Sequence, residues 1–264
     1  MKSTGKTILV IPDSHAKPNI SNERYDWLNK LILDRKPNYI VELGDFADME
    51  SLSSYDKGKL SGQNRHVGND LDWAIDARKR LSKGILERQQ QLFNSKKAKW
   101  LVKMVALGGN HENRLDKYVN DNPEMLGVLN QDASKAAEQG WEWHPFMEKV
   151  TIEGITFCHY FHNGIGKPLG GVMPARTLTQ KLYTSTVSGH SHIWNHYSDV
   201  TATGRRINGL VAGCYFGHEE AYARHSNATW DRSVTLLHNV VDGDYDLEKI
   251  SYDRIRNEYG SEIK

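Results

Sequence analysis

Five polar fragments, each at the C-terminal end of a predicted strand, set the tightest limit on how this chain can fold. They are Asp13-Ser14-His15, Gly44-Asp45-Phe46-Ala47-Asp48, Gly109-Asn110-His111-Glu112, His159 and Gly189-His190-Ser191-His192. The preceding runs, such as Ile8-Leu9-Val10-Ile11, 39–43 and Met104-Val105-Ala106-Leu107, are short, apolar except for Glu42, and stopped by Pro or Gly. That is the pattern of strands buried on both faces. Helix-spaced segments separate them. Tyr25, Leu28, Leu31 and Ile32 mark one. A longer one is predicted from Asp70 to about Lys97, with Leu71, Ala74, Leu81, Ile85 and Leu92 near one face. At 1.5 Å per residue it spans roughly 40 Å. A third is predicted over 112–120, ahead of Pro123.

The second half is richer in strands. Runs at 149–152 and 155–159 flank Glu153-Gly154 as a hairpin. Residues 174–183 read as a helix with Pro174 in its first turn. Residues 184–188, 197–201, 206–212 and 234–241 read as extended. Alternation followed by extra strands predicts an α/β fold, a sheet covered by helices. No repeat, low-complexity tract or linker interrupts the chain, so residues 1–264 read as a single domain. The 64 residues between Asp45 and Asn110 read as a helical insertion at about 50–100, serving as a cap, an oligomer surface or a nucleic-acid platform.

Ligands of open α/β sheets bind beyond the carboxyl ends of the strands. The five fragments can therefore meet at one spot. Their carboxylates, imidazoles and carboxamide form an N/O donor set suited to Mn, Fe or Zn. They offer no thiolate, which argues against a zinc-finger type of site. Cys158 and Cys214 lie in apolar runs and read as reduced, buried thiols. The 34 Lys and Arg nearly balance the 33 Asp and Glu, so no global basic field marks a nucleic-acid binder. With neither a signal peptide nor an apolar run long enough for a bilayer, the chain is expected to be cytoplasmic and away from membranes. Gly-Asn-His-Glu alone arises by chance in roughly one chain in a few hundred of this length. The full ordered set is beyond coincidence.

In this order, D-x-H, G-D-x-x-D, G-N-H-E, a lone His and G-H-x-H, the fragments resemble the calcineurin-like metallophosphoesterase superfamily. The resemblance runs from Asp13 to His192, and the region beyond has a looser similarity to phage-encoded members. It implies two packed mixed β-sheets flanked by helices, a four-layer α/β/β/α arrangement, with the site at the sheet edges. It also implies a dinuclear metal centre. Asp13, His15 and His192 would bind one ion, and Asn110, His159 and His190 the other. Asp45 would bridge them, and His111 would face the scissile phosphate as the catalytic group. Ions in such centres lie about 3.5–4 Å apart, a gap that one carboxylate spans. The implied activity is hydrolysis of a phosphate ester by a metal-bound hydroxide. Mn²⁺ is the expected ion, with Fe, Zn or Ni as alternatives. No Gly-Asn-His-Asp-Arg string is present to clamp a monoester, so the reading leans toward a phosphodiester. A nuclease of the same superfamily and an inactive scaffold are the alternatives. The scaffold is disfavoured because no ligand is missing.

Other residues carry two readings. Asp48 serves equally as the N-cap of a helix at Met49-Glu50 or as a group orienting a ligand. Glu112 opens a helix, where a carboxylate is favoured anyway. His162 competes with His159, which directly ends its strand. Lys167, in the glycine-rich stretch 162–171, and Arg176 are candidates for phosphate contact. Trp141 and Trp143 alternate as in a strand and read as packing. Arg78-Lys79-Arg80 and Lys96-Lys97-Ala98-Lys99 read as solvated helix surface. Residues 215–230 read as a long loop walling the pocket.

Overall fold

The computed structural model describes residues 5–54, 58–95, 100–220 and 222–260. Strand β1 (Lys6–Ile11) leads through α1 (Glu23–Arg35), β2 (Tyr39–Glu42), α2 (Val67–Asn94) and β3 (Lys103–Leu107) to α3 (Asn113–Asp121) and β4 (Glu142–His144). The hairpin β5 (Val150–Ile152) and β6 (Ile155–Phe157) follows, then α4 (Pro174–Leu182), β7 (Ser185–Ser188), β8 (Trp194–Val200) and β9 (Arg206–Ala212). The described chain closes with β10 (Ser233–Val241), β11 (Asp244–Ser251) and α5 (Tyr252–Tyr259).

One sheet has the order β11-β10-β1-β2-β3-β4. Its β1 to β4 are parallel, while β10 pairs antiparallel with β1 and β11 antiparallel with β10. The other has the order β5-β6-β7-β9-β8, with β6, β7 and β9 parallel and antiparallel strands at both edges.

The alternation within β1 explains the layering. Successive side chains of a strand point to opposite faces. Ile8 and Val10 pack with Val41, Val105, Phe157, Val187 and Leu210, a core drawn from both sheets. Leu9 and Ile11 pack instead with Leu28 and Leu31 of α1 and with Leu81 and Ile85 of α2. One strand thus feeds two cores, which is why its buried part, Ile8 to Ile11, is apolar without a break. Ile255 of α5 joins the helical side. Helix α4 covers the outer face of the second sheet, its Leu178 against Cys158 and Val211. The layers are therefore helices, sheet, sheet and helix, two mixed sheets flanked by helices as expected. Both cysteines are buried and free. Among the described residues no helix is long and apolar enough to cross a membrane.

Helix α2 starts at Val67, ahead of the predicted Asp70; the predicted end at Lys97 and the basic run 96–99 lie outside the described residues. Its basic run 78–80 corrects the reading of a solvated surface. Lys79 is exposed, but Arg78 is fully buried, on the same helical face as Ala74, Leu81 and Ile85. Its guanidinium donates to Glu42 at 3.0 Å and lies 3.7 Å from the Phe46 ring centroid and 4.6 Å from that of Trp141. A buried charge of this kind persists only when paired, and Glu42, the last residue of β2, supplies the pair.

Candidate metal centre

The five fragments sit at the ends of β1, β2, β3, β6 and β7. Four candidate ligands adopt left-handed backbone there: His15 (φ 45°), Asp45 (52°), His190 (71°) and His192 (58°). Such conformations cost about 1–3 kcal/mol each for non-glycine residues and persist only where the surroundings enforce them. Glycines permit the close approach. A Cβ on Gly109 would overlap the Asp45 carboxylate, and one on Gly189 would overlap that of Asp13.

Buried polar groups hold the loops. The Glu112 carboxylate accepts three backbone N–H bonds, from Asp45 at 3.0 Å, Ala47 at 2.8 Å and Gly109 at 2.8 Å. It staples the β2 and β3 loops together. Glu42 accepts from the Gly44 N–H at 2.7 Å. On the β1 loop, Arg24 of α1 donates to the Ser14 carbonyl at 2.9 Å, and the Tyr25 hydroxyl donates to Ser14 Oγ at 3.1 Å.

The loops bring donor atoms into contiguous sets. Asp13, His15 and His192 form one; Asp45, His159 and His190 a second; His15, Asp45 and His111 a third. Within each set the donor atoms lie within 4.8 Å of one another. His192 Nε2 is 3.0 Å from Asp13 Oδ2. Asp45 Oδ2 is 3.4 Å from His159 Nε2 and 3.7 Å from His111 Nε2. Asn110 Oδ1 joins the second set, 2.9 Å from His159 Nε2. His159 Nδ1 donates to the Leu43 carbonyl at 2.9 Å, which turns Nε2 toward Asp45. Buried His15 Nε2 and His190 Nδ1 have no hydrogen-bond partner among the described residues. A buried nitrogen left unpaired costs about 1–3 kcal/mol, and a cation held by N and O donors removes that penalty. The residues present therefore fit divalent ions.

The charges suit the same conclusion. Burial opposes ionisation of Asp45, but the His111 and His159 charges outweigh it and hold the carboxyl well below its ordinary range. Asp13 is lowered likewise, its burial offset by the His192 hydrogen bond and charge. Burial and the His159 charge push His190 down to about 4, so at neutral pH its imidazole is uncharged, the form that binds metal. For His159, burial is outweighed by the Asp45 carboxylate, which lifts the imidazole to about 10, so beside Asp45 it holds a proton that a metal ion would have to displace.

His111 has a different environment. Its Nδ1 lies 2.9 Å from Asp48 Oδ1 and 2.8 Å from the Asp48 carbonyl, and Arg114 Nη2 approaches its Nε2 at 3.1 Å. Asp48 caps no helix and instead orients this imidazole. Three groups here escaped the sequence reading: Lys17, Arg114 and Glu220. Lys17 Nζ lies 3.3 Å from Asp48 and 2.7 Å from Glu220. Glu220 also bonds His218 Nε2 at 2.9 Å and approaches His15 Nδ1 at 3.4 Å. A carboxylate behind a histidine in this way fixes which ring nitrogen faces the ions. Arg114 was accessible from helical i,i+3 spacing to His111; nothing in the sequence links Glu220 to His15.

The loop 215–230 walls the site. Phe216 stacks on His15 with centroids 4.7 Å apart, and Trp230 meets His192 edge-on at 4.4 Å. Between the two competing histidines, the buried His159 is in the cluster, while His162 is exposed and donates to the Asn163 carbonyl at 2.9 Å. Lys167 and Arg176 are also exposed, Arg176 lying 5.8 Å from the Tyr197 ring. His162 joins no donor set among the described residues.

No family model matches this chain. No curated protein matches it either. Among solved structures, YfcE, a phosphoesterase from E. coli, aligns over 93% of this chain and 99% of its own, with TM-score 0.40 and 12% identity. TT1561 of Thermus thermophilus aligns over the same shares, with TM-score 0.40 and 9% identity. These likenesses are distant, and the functional reading rests on the chain's own donor groups.

Proposed function

We propose that this chain is a calcineurin-like metallophosphoesterase that hydrolyses a phosphate ester, with phosphodiesters favoured over monoesters. One observation carries the reading: contiguous carboxylate and imidazole sets are linked in a row through His15 and Asp45, and His15 Nε2 and His190 Nδ1 are buried without hydrogen-bond partners among the described residues. In this reading Asp13, His15 and His192 hold one divalent ion, and Asn110, His159 and His190 a second, with Asp45 common to both. Mn²⁺ suits the set, and Fe, Zn or Ni fit the same donors. Bound ions would supply Lewis acidity toward the phosphoryl oxygens and lower the pKa of a hydrolytic water. The free, buried state of Cys158 and Cys214 agrees with a reducing, cytoplasmic setting.

The remaining roles belong to the chain's own groups. Asp48 anchors His111 at Nδ1, which leaves Nε2 to meet the scissile phosphate and stabilise or protonate the leaving oxygen. Arg114, 3.1 Å from that nitrogen, can turn its guanidinium from His111 to a phosphoryl oxygen. Glu220 and Lys17 hold His15. The neutral Asn110 keeps the site positive enough to attract an anion.

The test is metal content by mass spectrometry, then hydrolysis of bis-p-nitrophenyl phosphate and p-nitrophenyl phosphate with Mn²⁺. About two ions per chain are expected, with faster turnover of the diester. A protein that takes up no metal, or cleaves neither ester, refutes the reading. A large monoester preference overturns the diester assignment alone. His111→Ala is expected to keep its ions and lose roughly 10²–10⁴-fold in kcat. A metal-free His111→Ala protein would instead make His111 a ligand.

A further inference from the structure

We infer that the cleft beside the candidate centre binds single-stranded nucleic acid, so that the phosphodiester offered to the centre belongs to a polynucleotide strand. This rests on the phosphoesterase reading. A cavity of about 920 Å³ opens between residues of 50–54 and 58–63 on one side and helix α3 on the other, and it reaches the centre at Asn110 and Arg114. Ligand sites run from about 300 to 1,000 Å³. A simple phosphate ester would leave most of this space empty, so the cleft is sized for a larger substrate entering along α3.

Its walls fit one chemistry. Arg114 and Lys117 are both on α3 and both line the cleft, about 4.5 Å apart along the helix axis. Lys59 lines the cleft from the opposite side, in 58–63. The same lining includes Tyr118, next to Lys117 and 37% exposed, and Leu60, next to Lys59 and 86% exposed. Cationic groups next to an aromatic face match a strand that alternates phosphates with flat bases. A duplex hides its base faces in the stack and offers Tyr118 nothing. Two carboxylates also line the cleft. Glu50 is paired with Arg65 at 3.5 Å, which offsets its charge. Asp121 is at the end of α3, two turns beyond Arg114.

The test measures binding apart from hydrolysis. Fluorescein-labelled hexathymidylate with hydrolysis-resistant phosphorothioate links is titrated into the Mn²⁺-loaded full chain and followed by anisotropy. Wild type is expected to bind it more tightly than a duplex of equal length. Lys59→Gln/Lys117→Gln should raise Kd about ten-fold and make the slope of log K against log salt shallower by about 1.4. Tyr118→Ala should raise Kd about five-fold or more. Circular dichroism confirms that each variant is folded. Unchanged Kd in the folded variants, or duplex bound as tightly as the single strand, overturns the inference. Loss of bis-p-nitrophenyl phosphate hydrolysis in wild type would sink the phosphoesterase reading. Hydrolysis without strand binding sinks this inference alone.

Discussion

Asp45→Asn is expected to strip the centre of metal and turnover together while leaving the fold intact. Asparagine is isosteric with aspartate and tolerates the left-handed backbone at φ 52°. The contacts that hold this loop survive, because the residue's own N–H still donates to Glu112 and its side-chain oxygen still accepts from the His111 N–H, at 2.9 Å in the native protein. Only the negative charge goes. That charge is common to two of the donor sets, and it keeps His159 and His111 raised above their ordinary values. Without it the centre presents imidazoles and two carboxamides with Asp13 alone to balance two dications. Metal content should fall from about two ions per chain to one or none. The loss in kcat/KM should reach about 10⁴-fold or more, a barrier increase of roughly 5.5 kcal/mol. Thermal stability at neutral pH should fall, since a carboxyl held well below its ordinary range contributes stability there, and relief of its repulsion with the buried Glu112 carboxylate offsets only part of the loss. Full metal occupancy with native turnover in this variant would remove Asp45 from the centre.

The layering and the convergence of the five fragments were legible because both are written locally. An apolar strand flanked by helices implies burial on both faces, and a ligand-type residue after such a strand implies a sheet-edge site. Other features depend on distant partners. Arg78 belongs to a run of three cations and looks solvated until Glu42, 36 positions away, is brought against it. Glu220 reaches His15 across 205 positions. Histidine has only a modest preference for left-handed backbone, so the turns at His15, His190 and His192 reflect the packed loops around them. Strand β11 and helix α5 were missed for another reason. Asp244, Asp246 and Glu248 make β11 look like a polar loop, yet charge is what an edge strand uses to avoid pairing with other chains.

Arg78→Met tests the other side of this argument, with an expected loss of about 3–5 kcal/mol in unfolding free energy. Arg78 and Glu42 are both fully buried and in contact at 3.0 Å. Burial pushes the Glu42 carboxyl up to about 8 even against the opposing Arg78 charge. Removing the arginine takes that opposition away and moves the carboxyl higher still. A carboxyl raised on folding contributes stability that is full below its unfolded pKa and lost as pH rises through its folded one. The deficit of Arg78→Met relative to wild type should therefore stay level up to the wild-type value of about 8 and grow above it, so that it differs between about pH 7 and about pH 9. Methionine fills much of the space between Phe46 and Trp141, so the lost charge rather than a cavity should dominate. Glu42→Gln/Arg78→Met removes both charges and keeps the side-chain amide oxygen that can accept from the Gly44 N–H. It should recover about half of the loss or more and show no growth of the deficit with pH. Because Gly44 precedes Asp45, Arg78→Met should also weaken metal uptake, and the double variant should restore it. Urea titrations at both pH values decide the matter: equal stability of wild type and Arg78→Met at each would mean that the pair is neither buried nor coupled to the β2 loop.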